Sequence, residues 1–204
     1  DGSGNRTADD GVGDTLLPHQ DVDWYPLMNP WTLVHDVAVT GVTPILPPGA
    51  SHIYPGWVIK VKVTVKNEGD FTETSVLITV YCDGKPISMR ILLTKMNPQT
   101  ETAIEFTWDT TGVSPGTSGL NYTVKAVASG IFGENDTEDN TFTDGTVQVN
   151  LLGDVNSDGR VNVLDVILVL INAGPSPPKP PKCDINGDGR VNVLDVILIF
   201  INAR

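Results

Sequence analysis

A duplicated segment at the C-terminal end constrains the fold of this chain more than any other feature. Residues 153–174 read GDVNSDGRVNVLDVILVLINAG, and residues 183–204 read CDINGDGRVNVLDVILIFINAR. Asp154 aligns with Asp184 thirty positions later, and the two copies agree at most positions. Close repetition within a short chain indicates that one structural unit has been duplicated.

Each copy begins with a twelve-residue loop in which acidic and amide residues alternate in the order Asp-x-Asn-x-Asp-Gly. Ca²⁺ takes six to eight oxygen ligands, and alternate loop residues direct theirs at one centre when the chain turns sharply at position six. Gly159 and Gly189 supply that turn, because glycine accepts a positive φ. A single loop of this kind is also typical of a polar surface turn, but two copies in register favour two Ca²⁺ sites.

The predicted ligands occupy loop positions 1, 3, 5, 7, 9 and 12, position 7 through its backbone carbonyl. Position 12 is Asp where the ordinary calcium loop has Glu, so the last ligand has a shorter reach. Without calcium the loop carboxylates repel one another, so metal binding is expected to be coupled to folding. The two ligand sets, one for each ion, are Asp154, Asn156, Asp158, Arg160, Asn162 and Asp165, and Asp184, Asn186, Asp188, Arg190, Asn192 and Asp195.

The segments after the loops, 163–173 and 193–203, predict two helices that are apolar almost all round. A helix that rests on one core shows a single apolar stripe, so these helices need cover on more than one side. In a unit of roughly fifty residues they can cover only each other's inner faces. We therefore expect an exposed apolar patch that binds a partner. The residues predicted for this patch are Val163, Leu164, Ile167, Leu168, Ile171, Val193, Leu194, Ile197, Leu198 and Ile201.

Two loop-and-helix repeats without the entering helix of a full EF-hand, joined by the Pro-rich linker 174–182, resemble a type I-like dockerin over residues 153–204. The resemblance implies a calcium-folded module that docks one helix face onto a cohesin domain of another extracellular or cell-surface protein. Loop positions 10 and 11, which are Ser or Thr in many dockerins, are Val-Leu in both copies, which indicates a more apolar interface. Because both copies carry the same pair, either helix is expected to be able to face the partner.

Residues 35–152 carry short alternating segments separated by turn residues, which is typical of an antiparallel β-sandwich. In 57–66, for example, Ile59, Val61 and Val63 take one face and polar residues the other. Tyr122 is a candidate tyrosine corner. Seven strands are predicted, at 37–42, 57–66, 75–82, 87–94, 102–108, 120–128 and 146–151. The predicted fold class is mainly β: an immunoglobulin-like β-sandwich followed by a small all-α calcium-binding module.

Four segments of this region, DVAVT at 36–40, VTVKNEGD at 63–70, FTWDTTG at 106–112 and EDNT at 138–141, together resemble a CARDB domain. The resemblance implies the sandwich fold and leaves the function open, because such sandwiches serve as spacers and adhesion modules with varied ligands. The acidic loop 133–140 lacks the calcium-loop order, and we predict a solvated hairpin loop there.

Residues 1–34 form an N-terminal extension. Its segments DDGVGD at 9–14 and YPLMNPW at 25–31 resemble the closing end of NosD-type parallel β-helix repeats. The resemblance implies that a larger β-helix lay upstream, and we interpret the chain, which starts at Asp1 without a signal peptide, as a fragment or a processed product.

The net charge of −12 and the pI near 4.4 speak against nucleic acid and anionic membranes as partners. No apolar run is long enough to span a bilayer. Calcium loops suit a secreted or cell-surface location, and Asn5, Asn121 and Asn135 fit the N-glycosylation pattern. Cys82 and Cys183 allow one disulfide if the compartment is oxidising, or two separate thiols.

The sequence contains no ordered catalytic triad, phosphate loop or CxxC pair, so we predict a protein without catalytic activity. The favoured function is calcium-dependent docking onto a cohesin-bearing partner. A second hypothesis is self-assembly, in which the module docks on a further copy of the chain to build a filament or surface layer. A third, carbohydrate binding by the sandwich, requires an exposed row formed by Trp57, Tyr81 and Trp108.

Overall fold

A computed structural model describes residues 33–115, 120–175 and 180–203 of the chain. Asn5 and the segments that resemble a β-helix end lie outside these residues. The residues from Val34 to Arg204 form one compact unit. Its elements are β1 (Val37–Ile45), β2 (Val58–Asn67), β3 (Val76–Cys82), β4 (Lys85–Leu92), β5 (Glu101–Asp109), β6 (Leu120–Ser129), β7 (Thr141–Val149), α1 (Val163–Asn172), a 3₁₀ turn (Pro181–Cys183) and α2 (Val193–Asn202).

The strands form two antiparallel sheets, with strand orders β1-β2-β5 and β4-β3-β6-β7. Period-two alternation turns one face of each strand inward, as at Val61, Val63 and Val65 in β2, which have no exposed surface. The inner faces of the two sheets share one hydrophobic core. The predicted fold class is confirmed: a mainly β, immunoglobulin-like sandwich followed by a small helical part.

Two strand boundaries differ from the prediction by three residues or more. β7 begins at Thr141 rather than at residue 146. Its first half, TFTDG, pairs with β6 through Thr141 and Thr143, but the half-buried Phe142 is its only apolar side chain, so the sequence shows no alternation there. β1 continues through Pro44 to Ile45. Pro44 is tolerated there because β1 is an edge strand, where a missing N–H leaves no ladder bond unmade.

Three further predictions are settled by side-chain positions. The Tyr122 hydroxyl donates a 2.6 Å hydrogen bond to the Ser114 carbonyl, which confirms the tyrosine corner. Cys82 and Cys183 are both buried and are not joined by a disulfide. Trp57 and Trp108 are buried in the core, so the exposed aromatic row required for carbohydrate binding is not formed.

The helical part shares the core of the sandwich. Val166 and Val169 of α1 and Val196 and Ile199 of α2 are buried in the same cluster as the sandwich side chains. The end of the Pro-rich linker turns into a 3₁₀ helix, Pro181–Cys183, directly before the second loop. The repeats and the sandwich are therefore continuous in packing as well as in sequence.

Candidate calcium loops and the helix faces they support

Each helix begins at loop position 10, and the asparagine at position 9 is its N-cap. The Asn162 side chain accepts a 2.8 Å hydrogen bond from the Leu164 N–H, and Asp165 accepts one of 2.8 Å from the Asn162 N–H. This reciprocal capping box satisfies backbone donors that a helix leaves unpaired at its start. The second repeat forms the same box with Asn192 and Asp195. The residues predicted as ligands at positions 9 and 12 thus cap the N-termini of the two helices.

The position-12 carboxylates also close the loops. Oδ1 of Asp165, a residue with no exposed surface, accepts hydrogen bonds from the Val155 N–H at 2.9 Å and the Asn156 N–H at 3.1 Å. Asp195 makes the equivalent pair with Ile185 and Asn186. One buried carboxylate in each repeat therefore ties the start of the loop to the first turn of its helix.

The position-1 carboxylates are buried against the turn of the loop. Asp154 accepts a 3.1 Å bond from the Asp158 N–H and a 2.9 Å bond from the Gly159 N–H. Asp184 does the same with Asp188 at 3.1 Å and Gly189 at 2.7 Å. Gly159 and Gly189 have φ values of 81° and 84°, as predicted for the sharp turn.

The side chains at positions 3 and 5 lie beside each other in both loops. The Asn156 amide donates to Asp158 at 2.9 Å, and Asn186 donates to Asp188 at 3.2 Å. Position 7 contacts the same group through its backbone, because the Arg160 N–H donates to Asp158 at 2.9 Å. Arg190 repeats this contact. In each repeat, hydrogen bonds therefore join positions 1, 3 and 5 around the turn, whereas the position-12 carboxylate bonds to the backbone at positions 2, 3 and 9.

The electrostatics of these loops suit a hard cation. Burial raises the pKa of the Asp154 carboxyl and repulsion by Asp165 adds to it, while the Gly159 N–H opposes the rise; equivalent causes act on Asp184. Within the part of the chain that the structure describes, no salt bridge from Lys, Arg or His involves a loop carboxylate. Buried carboxylates without a cation are costly, and an all-oxygen donor set fits Ca²⁺.

The predicted partner-binding residues are mostly exposed. Val163 and Ile171 of α1 are 64% and 71% exposed, and their counterparts in α2 have nearly the same exposure. Leu168 and Leu198 differ from the others, because they are half-buried against the core. Leu170 and Phe200, which the sequence analysis did not select, lie on the exposed side instead. Their spacing of three from Ile167 and Ile197 is the helical signal that identifies them.

Among the described residues, three carboxylates converge outside the loops. Asp36, Glu68 and Asp139 each offer an oxygen within 4.8 Å of the others. Oδ1 of Asp36 and Oδ1 of Asp139 are buried and accept no hydrogen bond. The Lys66 ammonium lies 2.9 Å from the Glu68 carboxylate, so one of the three negative charges is already paired with a cation of the chain.

The loop 133–140 is solvated only in part. Asn135 is exposed, as is Asn121, so both described glycosylation candidates lie on the surface. Glu134, by contrast, accepts hydrogen bonds from the Val37 N–H and the Asn140 amide, both at 2.8 Å. The prediction of a solvated hairpin loop is therefore wrong for Glu134 and Asn140. The Glu134 carboxylate, rather than water, accepts the hydrogen bond of the first N–H group of β1.

Neither α-helix in the described ranges has the length and apolar character needed to cross a membrane.

Comparison with known proteins identifies two families along the chain. The CARDB family model matches residues 45–144, and the model of the Dockerin type I domain matches residues 152–202. A CARDB domain from Pyrococcus furiosus, solved in complex with di-metal ions, is 20% identical with a TM-score of 0.44, over 58% of this chain and 96% of that one. A β-glucosidase from Listeria innocua is 16% identical with a TM-score of 0.36, over 57% of this chain and 16% of its own. No curated protein matches the chain.

Proposed function

This chain joins a CARDB domain to a type I dockerin domain, and we propose that it attaches an extracellular protein to a cohesin-bearing partner in a calcium-dependent way. We place the CARDB sandwich at 35–152 and the dockerin at 153–204, with repeats 153–174 and 183–204. The N-terminal extension is 1–34, and the linker is 174–182. Both domain families are non-catalytic module types, which supports a binding function rather than catalysis.

The observation that carries this proposal is the connection between loop and helix in each repeat. The same carboxylate, Asp165 or Asp195, closes the loop and caps the helix that presents the exposed apolar side chains. An ion bound by positions 1, 3, 5, 7, 9 and 12 would therefore hold both the loop and the start of the helix. We propose one Ca²⁺ per repeat, two in all.

The binding face consists of apolar side chains on the outer sides of α1 and α2. Val163, Leu164, Ile167 and Ile171 form it on α1, where Leu170 extends it at one edge and Leu168 at the other. On α2 the equivalent residues are Val193, Leu194, Ile197, Ile201, Phe200 and Leu198. Because these patches are nearly equal, each helix is suited to face a cohesin. CARDB and dockerin domains are typical of extracellular or cell-surface proteins, and we propose that location here.

Binding to a panel of cohesin domains, measured by calorimetry in millimolar calcium and again in EGTA, tests the proposal. The wild-type chain should bind at least one cohesin in calcium and none in EGTA. The double variant Asp154→Ala/Asp184→Ala should lose more than about a hundredfold in affinity. Glu138→Ala, which removes an exposed carboxylate outside the loops, serves as the control. Retained cohesin binding by the double variant would refute the calcium coupling.

Self-assembly is the second candidate function, because the two exposed patches lie on one small module. A second copy of the chain offers the same apolar chemistry as a foreign partner. Light scattering at several concentrations, in calcium and in EGTA, separates the two functions. Assemblies that grow with concentration and dissociate in EGTA favour self-assembly, whereas a monomer in calcium favours a separate cohesin.

A further inference from the structure

Two aromatic side chains of the sandwich reach the backbone of the dockerin loops. The Tyr54 hydroxyl, which is fully buried, lies 2.8 Å from the Lys182 carbonyl oxygen and 3.2 Å from that of Asp154. Lys182 precedes the second loop, and Asp154 is position 1 of the first. One side chain of the sandwich therefore contacts the entry to both loops.

Trp57 contacts the second loop directly. Its Nε1–H donates a 3.2 Å hydrogen bond to the Ile185 carbonyl, at loop position 2. Its ring also packs on Gly187, at position 4, so closely that a Cβ there would lie 3.2 Å from Cδ1 and Nε1 of the indole. The ring further lines a cleft of about 150 Å³ that it shares with Asp184, the position-1 carboxylate.

The segment that carries these aromatics is held rigidly by the sandwich. The Ile53 N–H and carbonyl bond to the end of β7 and to Asn150, at 2.9 and 3.0 Å. At the other end, the Trp57 carbonyl accepts hydrogen bonds from the Thr110 hydroxyl at 2.7 Å and the Thr110 N–H at 3.0 Å. The rings of Tyr54 and Trp57 meet edge to face at 5.5 Å. Both sheets therefore fix the positions of the two side chains.

We propose that Tyr54 and Trp57 are positioning residues for calcium binding, so that the sandwich sets the calcium affinity of the dockerin, most strongly in its second loop. The inference rests on the proposed calcium function. Oxygen ligands converge on an ion only when the loop backbone between positions 1 and 5 is ordered, and ordering a free loop opposes binding. Trp57 contacts that backbone at positions 2 and 4, so it opposes the disorder that calcium binding would otherwise have to overcome. By linkage, calcium then stabilises the sandwich as well as the dockerin.

Calcium titration of the full chain tests the proposal. Trp57→Phe keeps an aromatic ring but removes the N–H, and it should weaken one of the two calcium sites by about tenfold, the value of one buried hydrogen bond and its packing. Tyr54→Phe, which removes only the hydroxyl, should weaken calcium binding by several-fold. Trp108→Phe is the matched control, because that indole is buried in the sandwich and has no hydrogen bond to either loop.

A spectroscopic measurement tests whether the Trp57 indole lies beside a bound ion. Tb³⁺ takes the place of Ca²⁺ in oxygen-ligand loops and emits when a nearby indole is excited. Trp57→Phe should remove at least about half of the sensitised emission, because the indole ring packs on the second loop. Trp108→Phe should retain it.

The outcomes of these titrations are distinct. If the wild-type chain binds no Ca²⁺, the proposed function fails. If it binds two ions and both Trp57→Phe and Tyr54→Phe keep wild-type affinities, the positioning role is overturned while the proposed function stands. If Trp57→Phe does not fold, Tyr54→Phe decides alone: weaker calcium binding supports the proposal, and unchanged binding refutes it.

Discussion

The two dockerin repeats have nearly the same sequence but different surroundings. The first loop follows β7 directly, and the Ser157 hydroxyl at position 4 accepts a 2.9 Å hydrogen bond from the Asn150 amide. In the second loop position 4 is Gly187, which lies under the Trp57 ring. Both residues have positive φ, 61° and 72°. Two loops of nearly the same sequence are therefore attached to the sandwich through different contacts at position 4.

This difference shows how a duplicated unit is adapted to one scaffold. A serine side chain in the second loop would meet the indole, whereas in the first loop it pairs with Asn150, a buried residue that continues from β7. The ligand positions and helix caps are the same in both repeats. The hydrogen bonds within each loop are thus the same in the two repeats, whereas the contacts that attach each loop to the sandwich are different.

The largest effect that tests the difference between the repeats is expected at position 12. Asp165→Ala or Asp195→Ala leaves three backbone N–H groups without their acceptor and removes a predicted ligand. Each change should destabilise the unit by about 2–4 kcal/mol and abolish calcium binding in its own loop. Urea denaturation and calorimetric titration measure the two effects.

If the repeats are inequivalent as described, Asp165→Ala leaves the Trp57-supported loop able to bind one ion, and Asp195→Ala leaves the weaker loop. The first variant should therefore retain the tighter of the two sites. Equal residual affinities in the two variants would contradict the asymmetry. Glu138→Ala again provides an exposed carboxylate control.

Giving each loop the residue that the other has at position 4 should change the stability by an intermediate amount, and it tests directly whether this position makes the repeats different. Gly187→Ser places a side chain at positive φ against the indole and should cost about 1–3 kcal/mol. Ser157→Gly loses one hydrogen bond but relieves the positive φ, so its effect should stay within about 0.5 kcal/mol. Thermal melts in calcium measure both.

A double variant shows whether Trp57 is the cause of the difference. Combining Gly187→Ser with Trp57→Ala should remove part of the cost of Gly187→Ser, because the clashing ring is gone. Strict additivity of the two changes would mean that the cost comes from the backbone conformation alone.

Much of the fold and of the loops could be predicted because their signals are local. The alternation of Ile59, Val61 and Val63 predicts a strand, and the loop-and-helix pattern predicts helices that the structure begins at Val163 and Val193. The attachment of the loops to the sandwich could not be predicted in this way, because Trp57 and Ile185 are separated by 128 positions. No periodicity relates a residue in one sheet to a carbonyl in a distant loop.

The same reasoning explains what the sequence analysis missed at the surface. The first half of β7 pairs with β6, but its only apolar side chain is the half-buried Phe142, so its pattern contains no apolar alternation. Glu134 and Asp139 are acidic residues in a loop, which sequence reasoning assigns to solvent. Only the tertiary structure brings Glu134 to the Val37 N–H.

A smaller effect than that of Gly187→Ser is expected in the sandwich, where the carboxylates of Asp36, Glu68 and Asp139 serve as a reference for those of the loops. Burial, and then repulsion from Asp139, Asp136, Glu134 and Glu68, raises the pKa of Asp36 to about 6. A carboxyl whose pKa is raised on folding contributes stability below its unfolded pKa of 3.8, and that contribution is lost as the pH rises through about 6. In EGTA, Asp36→Asn should therefore be more stable than the wild-type chain at pH 7.5, by about 1 kcal/mol after solvent screening.

Urea denaturation of both chains in EGTA between pH 4 and pH 7.5 measures this difference, which should vanish at the acidic end where Asp36 is protonated. The sandwich carboxylates and the loop carboxylates should differ in how added calcium changes their contribution to stability. Loop carboxylates that bind an ion make the chain more stable when calcium is added, whereas the repulsion at Asp36 should persist in calcium because Glu68 already pairs with Lys66. A stability advantage of Asp36→Asn that disappears in calcium would show that the two acidic regions behave alike, and the contrast between sandwich and dockerin would then be wrong.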